Sequence, residues 1–175
     1  DTNTKLLKEL SNKAPGTFHH SLNVANLAEA SANEIGANAM LVRVGALYHD
    51  IGKMKNPTYF AENQSTGINL HDELSSKESA ATIISHVIDG IEIAKKYNLP
   101  DRVIDFIRTH HGTSLVYYFY NQEKNLETVA DIEDFKYPGP KPFSKETAIL
   151  MMCDSVEAAS KSLKEPTSTK IDDFV

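Results

Sequence analysis

The 175-residue sequence has one cysteine, Cys153, no tryptophan and no long apolar run. A single cysteine excludes an internal disulfide and fits a reducing compartment. No segment approaches the roughly 18 apolar residues needed to cross a bilayer, and no signal-peptide pattern opens the chain, so we expect a soluble domain without membrane contact. Acidic residues outnumber basic ones and give a net charge of -6. This charge disfavours a protein that binds polymeric nucleic acid, but it is compatible with the binding of a small nucleotide.

The composition is that of an ordinary globular protein, with 41% hydrophobic and 24% charged residues. A chain of this length can bury a core without disulfide or zinc support, so we treat residues 1–175 as one domain. The chain begins at Asp1 rather than Met, and it stops at Phe174-Val175, just after a pattern that suggests the start of another helix. We therefore expect a domain excised from a longer protein.

Helical periodicity dominates the sequence and predicts an all-α fold. Capping residues and first-turn proline predict helices that start at Thr17, Asn38, Ser75, Asp89, Pro100 and Ser144. Residues 53–74 lack periodicity and predict a long loop in which His71 is exposed. The proline-rich run at residues 137–142 cannot be helical. Cys153 lies among apolar residues, which predicts that it is buried.

Histidine and aspartate recur on or at the ends of these predicted helices, at His20, His49, Asp50, His86, His110, His111 and Asp154. Taken singly, each has an ordinary explanation as a core histidine, a polar helix end or a solvated aspartate. Taken together, they are the side chains that bind first-row divalent metals. Seven ligands are too many for one tetrahedral ion but suit two ions that share a carboxylate, for which Asp50 is the natural bridge.

The order of these residues resembles that of the HD-domain metal-dependent phosphohydrolases, and His49-Asp50-Ile51-Gly52-Lys53 is the specific marker. The resemblance extends from His20 to Asp154 and implies a single helical HD-domain bundle with a two-metal site between its core helices. It implies one ion on His20, His49, Asp50 and Asp154, and a second ion on Asp50, His86, His110 and His111.

A narrower resemblance concerns the substrate. Residues 137–142, followed by the run Asp154–Ala159, resemble the intracellular HD domain of bacterial seven-transmembrane HD proteins of the PgpH type. This resemblance implies hydrolysis of cyclic di-AMP to linear pApA by the cytoplasmic domain of a membrane protein. The HD-GYP enzymes, which act on cyclic di-GMP, carry Gly-Tyr-Pro after the paired histidines. Here Gly112-Thr113-Ser114-Leu115 follows instead, which disfavours cyclic di-GMP.

The resemblance implies two divalent transition-metal ions as cofactors, and an imidazole-rich site fits iron or manganese better than magnesium. We expect Asp50 and Lys53 to be catalytic. Lys53 follows the His-Asp pair closely enough to reach a phosphate, so we expect Lys53, together with Arg108, to bind substrate. Lys55 and Lys141 are weaker phosphate-binding candidates, and the tyrosines at 117, 118 and 120 either stack on adenine or pack in the core.

Two alternative functions stay open at this point. One is an HD-type di-iron oxygenase, and the other is a nucleotide-sensing regulatory module without turnover. As a partner, a second copy of the chain in a homodimer also stays open.

Overall fold

A computed structural model describes residues 1–126 and 130–163, so the helix start suggested at the chain end lies outside the described residues. Within these ranges the chain forms seven α-helices, and its β pairing there is limited to one isolated bridge between Leu115 and Lys136. The predicted all-α fold is confirmed. The helices are α1 (Lys5–Lys13), α2 (Pro15–Glu34), α3 (Ala39–Tyr48), α4 (Ser76–Lys96), α5 (Asp101–Thr109), α6 (Tyr117–Asn125) and α7 (Lys145–Lys161).

Side-chain caps begin three of these helices where the sequence predicts them. The Asn38 side chain accepts a hydrogen bond from the backbone N–H of Leu41 and starts α3. Ser75 and Glu78 form a complete capping box at the start of α4, and Ser144 caps α7. Each cap satisfies a backbone donor that would otherwise lack a partner in the first helical turn.

Two predicted helix boundaries are wrong. Asp89 does not cap a separate helix, because α4 continues through it without a break. Its carboxylate instead lies 2.8 Å from the ammonium of Lys55. Asp89, which local spacing assigned to a cap, is therefore half of an ion pair with a distant part of the chain. The second helix begins at Pro15 rather than at Thr17, since proline at the first helical position loses no hydrogen bond.

The long loop after residue 53 is present but is built largely from short 3₁₀ turns, which span Ile51–Lys55, Pro57–Tyr59, Ala61–Asn63 and Leu70–Glu73. Asn63 joins this loop to α2: its Oδ1 accepts from the backbone N–H of Thr17 at 3.0 Å, and its amide donates to the Thr17 hydroxyl at 2.8 Å. The loop is therefore fixed against the helix that carries His20.

His71, predicted to be exposed, is half-buried. Its Nε2 lies 2.7 Å from the carbonyl oxygen of Tyr59, and its ring packs against the rings of Tyr59 and Phe119. The prediction was wrong because the aromatic residues of the loop and of α6 meet only after folding.

The core forms around α2, which packs against α1, α3 and α7. Ala25, Ala28 and Ala32 are fully buried on α2, and such small side chains let neighbouring helices approach closely. Cys153 is buried on α7 near Ser31 of α2, as predicted. Among the residues that the structure describes, no helix is both long enough and apolar enough to cross a membrane.

The turn Ile51–Lys55 packs directly onto α4, and this contact requires a glycine. A Cβ atom at Gly52 would lie 1.8 Å from the backbone carbonyl oxygen of His86, and Gly90 faces the same crossing. Since backbone atoms cannot move aside as a side-chain end can, any larger residue here must separate the turn from α4.

We expect Gly52→Ala to lower the free energy of unfolding by about 3 kcal/mol, because overpacking at a backbone contact forces the two elements apart. Gly36→Ala is the control: Gly36 has open space around its Cβ position but a positive φ of +69°, so it should lose only about 1 kcal/mol. Urea unfolding of both variants measures the difference. Equal losses would contradict the close contact described here.

Candidate metal centre

Five helices direct the seven predicted ligands to one place in the interior. His20 lies on α2, His86 on α4 and Asp154 on α7, while His49-Asp50 and His110-His111 lie at the C-terminal ends of α3 and α5. Six of the seven are buried, and His111 is half-buried. Adjacent residues at a helix end leave the helix in different directions, so each pair can face the same centre from two sides.

The ligand atoms form two groups in which all atoms lie within 4.8 Å of one another. The first group consists of His20, His49, Asp50 and Asp154, and the second consists of Asp50, His86, His110 and His111. Asp50 belongs to both groups. The structure thus brings together the same two sets of side chains that the resemblance to HD-domain phosphohydrolases implies.

The two carboxylate oxygens of Asp50 face different groups. Oδ2 lies 3.6 Å from the Nε2 of His20 and 3.3 Å from that of His49. Oδ1 lies 3.4 Å from the Nε2 of His86 and 3.3 Å from that of His110. This division would allow each oxygen of the carboxylate to contact a cation in a different group.

Hydrogen bonds to backbone fix the orientation of three imidazoles. In each, Nδ1 lies against the carbonyl oxygen three residues earlier, at 2.6 Å for His49, 2.5 Å for His86 and 2.7 Å for His110. Because a carbonyl can only accept, Nδ1 must carry the proton. The lone pair of the neutral ring is then on Nε2, the atom that faces Asp50, which is the tautomer of a metal ligand.

Unsatisfied polar atoms show that this cluster fits cations. The Nε2 of His49 and the Oδ1 of Asp50 are buried and form no hydrogen bond. The Nε2 atoms of His86 and His110 lie 3.2 Å apart, although both rings already donate through Nδ1. Ligands bound at roughly 2.0–2.2 Å from a metal lie roughly 3–3.5 Å from one another, which matches these separations. The His/Asp cluster can therefore bind metal ions.

The ionisation of the two carboxylates and of His111 suits metal binding. Burial lowers the pKa of His20 and of His49, but Asp50 and Asp154 raise both above the ordinary value, so an ion that binds there displaces a proton. Burial alone would raise the pKa of Asp50, but His49 and Lys53 hold that pKa well below its usual range. Asp154 behaves in the same way, its pKa lowered by His49 and His20 against the effect of burial. Burial, together with the neighbouring imidazoles of the cluster, depresses the pKa of His111 well below its ordinary value. Ionised carboxylates and a neutral imidazole are the forms that bind metals.

Lys53, predicted from its position after the His-Asp pair, lies at the edge of the cluster. Its Nζ is 2.9 Å from Oδ2 of Asp50 and 2.7 Å from Oε1 of Glu62, and it lies over the ring of Phe60. Burial would lower the pKa of Lys53, but Asp50 and Glu62 raise it above the ordinary lysine value. Lys53 is therefore a charged ammonium group beside the proposed ligands.

The cluster opens into a cavity of about 440 Å³. Its walls are formed by His20, Asp50, Lys53, Ala61, Glu62, His111, Asp154, Glu157, Ala158 and Lys161. Arg108, predicted to bind substrate, does not line this cavity and pairs with Asp105 at 3.1 Å. Lys55 points to Asp89, and Lys141 is exposed on the proline-rich segment.

The predicted tyrosines also lie away from the cavity walls. Tyr117 and Tyr118 are exposed on α6, and Tyr120 packs against the ring of Phe135 at 5.6 Å between centroids. A different tyrosine, Tyr137, is buried and stacks on His111 with centroids 4.2 Å apart. Sequence spacing offers no signal for this contact, because the two residues are joined by folding alone.

Three other residues at the site were missed. Glu157 contacts the Nδ1 of His20, and the sequence did carry a signal for it, since it follows Asp154 by about one turn of the same helix. Glu62 and Lys161 line the cavity beside Lys53 and Glu157, respectively. In a sequence, a single charged residue in a loop or at a helix end cannot be distinguished from one that is simply exposed to solvent.

Two curated proteins are similar in sequence to this chain over nearly its whole length. Cyclic-di-AMP phosphodiesterase PgpH of Listeria monocytogenes is 53% identical over 173 residues, which are 99% of this chain and 24% of that protein. The protein of the same name from Bacillus subtilis is 47% identical over the same shares. The chain thus spans about a quarter of the length of these curated relatives.

A solved structure is similar throughout the chain. The crystal structure of the L. monocytogenes phosphodiesterase PgpH HD domain in complex with cyclic-di-AMP has a TM-score of 0.95 and 52% sequence identity, and the match covers 99% of this chain and 81% of that one. The sequence model of the HD domain matches residues 17–159, a range that contains all seven clustered histidines and aspartates. This chain therefore belongs to the HD domain family.

Proposed function

We propose that this domain is a metal-dependent phosphodiesterase that hydrolyses cyclic di-AMP to linear pApA. The observation that carries the proposal is the pair of ligand groups that share Asp50 at the wall of an open cavity. The choice of substrate is supported by the similarity to two cyclic-di-AMP phosphodiesterases and to an HD domain crystallised with cyclic-di-AMP. A cavity of about 440 Å³ is within the roughly 300–1,000 Å³ typical of small-molecule sites.

In this proposal residues 1–175 are one HD phosphohydrolase domain of a longer bacterial protein. The curated relatives, of which the chain covers 24%, support that arrangement. In this proposal a membrane anchor lies elsewhere in the protein, and this domain lies on the cytoplasmic side.

The ligand set favours iron or manganese as the two divalent ions. Five imidazoles and two carboxylates form the cluster, and imidazole suits transition metals, whereas magnesium prefers oxygen ligands and retains its waters. Bound divalent ions supply an activated water at neutral pH and neutralise charge on the phosphate. Asp50 belongs to both groups, so its two oxygens would help to hold both ions.

The reaction adds one water across one phosphodiester. The water oxygen forms a bond to phosphorus, the bond from phosphorus to the 3′-oxygen breaks, and a proton passes to that oxygen. The products are a 5′-phosphate and a 3′-hydroxyl, which are the two ends of pApA. No covalent bond to the protein is needed.

We propose that Lys53 binds the scissile phosphate, and its position at the cavity supports this role. An ammonium has three N–H donors, and two of them are directed to Asp50 and Glu62. The third is available to a phosphate oxygen, because Lys53 lines the cavity. Glu62 thus holds the lysine in place and keeps it charged.

The ligand proposal predicts that Asp50→Asn lowers both bound metal and pApA formation. Loss of the shared charge affects both groups, and since loss of an outer-shell partner already costs 10–100-fold, turnover should fall by more than about 100-fold. Elemental mass spectrometry and chromatography of the products measure the two effects. Asp89→Asn is the matched control: it changes another buried aspartate, which pairs with Lys55 and lies outside the cluster, and it should leave both quantities unchanged.

The same assay separates the alternative functions. Metal-loaded wild-type protein that forms a product only with oxygen would indicate a di-iron oxygenase. Binding of cyclic di-AMP without pApA would indicate a sensor, and either result would refute the phosphodiesterase proposal.

The role proposed for Lys53 predicts that Lys53→Gln reduces kcat/KM for cyclic di-AMP by about 10- to 100-fold, the effect of one lost charge-assisted hydrogen bond. The metal content should stay at the wild-type value, because Lys53 is not a ligand. Lys55→Gln, two residues further on and directed to Asp89, should behave as wild type. A loss of metal in Lys53→Gln would contradict a role in phosphate binding alone.

A further inference from the structure

His20 differs from His49, His86 and His110 in what supports its ring. The Nδ1 atoms of those three lie against backbone carbonyls, whereas the Nδ1 of His20 contacts the carboxylate of Glu157. Both members of this pair are buried, with exposed fractions of 6% for His20 and 7% for Glu157. The contact joins α2 to α7 inside the bundle, directly behind the ligand atom that faces Asp154.

The Glu157 carboxylate is itself held on its other side. Its Oε1 lies 2.7 Å from the ammonium of Lys161 and 3.4 Å from the amide nitrogen of Asn23. The Lys161 ammonium thus supplies a positive charge on the side of the carboxylate that faces away from His20. Glu157 is therefore an oriented, negatively charged partner for the His20 ring.

We propose that Glu157 is a positioning residue that makes the group of His20, His49, Asp50 and Asp154 bind its ion more tightly than the group of Asp50, His86, His110 and His111. The inference rests on the proposed metal-dependent function. A carboxylate that accepts from Nδ1 leaves the lone pair on Nε2, fixes the ring angle and increases electron donation to the metal. A backbone carbonyl also leaves the lone pair on Nε2 and fixes the ring angle, but it carries no negative charge that would increase electron donation.

The two groups differ in their ligands, since the first has Asp154 where the second has a third imidazole, and they differ also in what supports their histidine rings. Each contains Asp50 and histidines whose Nδ1 donates to a carbonyl, but a charged outer partner is seen behind His20 and not behind His86 or His110. Asp154 and Glu157 both lie on α7, about one turn apart, so a single helix supplies a ligand and the support of a second ligand to the same group.

Isothermal titration of the metal-free protein with Mn²⁺ alone tests the proposal in two backgrounds. His86→Ala leaves the His20 group intact, and His20→Ala leaves the His86 group intact. In the His86→Ala background, Glu157→Gln should weaken Mn²⁺ binding about 10-fold and Glu157→Leu up to about 100-fold. The amide of Gln still accepts from Nδ1, so it should lose less than Leu. In the His20→Ala background, both changes should alter the affinity less than twofold.

Glu146→Gln is the control on the same helix, since Glu146 contacts the backbone of Asn38 at the far end of α7, and it should leave Mn²⁺ affinity unchanged. If a histidine variant does not fold, the titration is run on otherwise wild-type protein, where Glu157→Gln should weaken the tighter of two binding steps and bring the two affinities together.

Equal weakening in both backgrounds, or a lower Tm with unchanged affinity, would overturn the proposal and leave Glu157 a purely structural partner. Turnover of cyclic di-AMP is measured separately on the wild-type protein. Affinities as expected without pApA formation would refute the proposed substrate and support the role of Glu157, whereas wild-type protein that binds no Mn²⁺ would overturn both.

Discussion

The burial of one carboxylate, that of Asp50, is the constraint on which the rest of the site depends. An ionised group removed from water is strongly destabilising unless positive charge lies close to it. Here Lys53 contacts one oxygen, and imidazoles from four helices or helix ends surround both. In three of them Nδ1 lies against a backbone carbonyl, so Nε2 faces Asp50, where a cation or a proton can balance the charge of the carboxylate.

Much of this candidate site could be predicted from the sequence, because four of its seven side chains fall at helix ends and the order of all seven resembles that of a known family. His49-Asp50 closes α3 and His110 closes α5, each followed within a few residues by a glycine. Helix ends are marked in sequence by caps, glycine and proline, so the elements and their ligands could be placed together. The all-helical fold followed from the same periodicity, and the starts of α3, α4 and α7 were correct to the capping residue.

What the sequence could not provide depends on contacts between distant segments. Asp89 has the spacing of a cap, yet its partner is Lys55 in the loop, and α4 runs through it. Tyr137 packs on His111 from the proline-rich segment, and Glu62 reaches Lys53 from a 3₁₀ turn. Periodicity describes how a helix faces the core, but it does not describe which loop residue covers a given side chain.

The anchoring of the loop to α2 has a mechanical consequence. Asn63 binds Thr17, and the neighbouring Glu62 binds both Thr17 and Lys53. Thr17 is less than one helical turn before His20, so the lysine and the first histidine are tied to the same short stretch of backbone. When thermal motion shifts α2 within the bundle, both should shift together, and the distance between the ammonium group and the imidazole would vary less than the position of either.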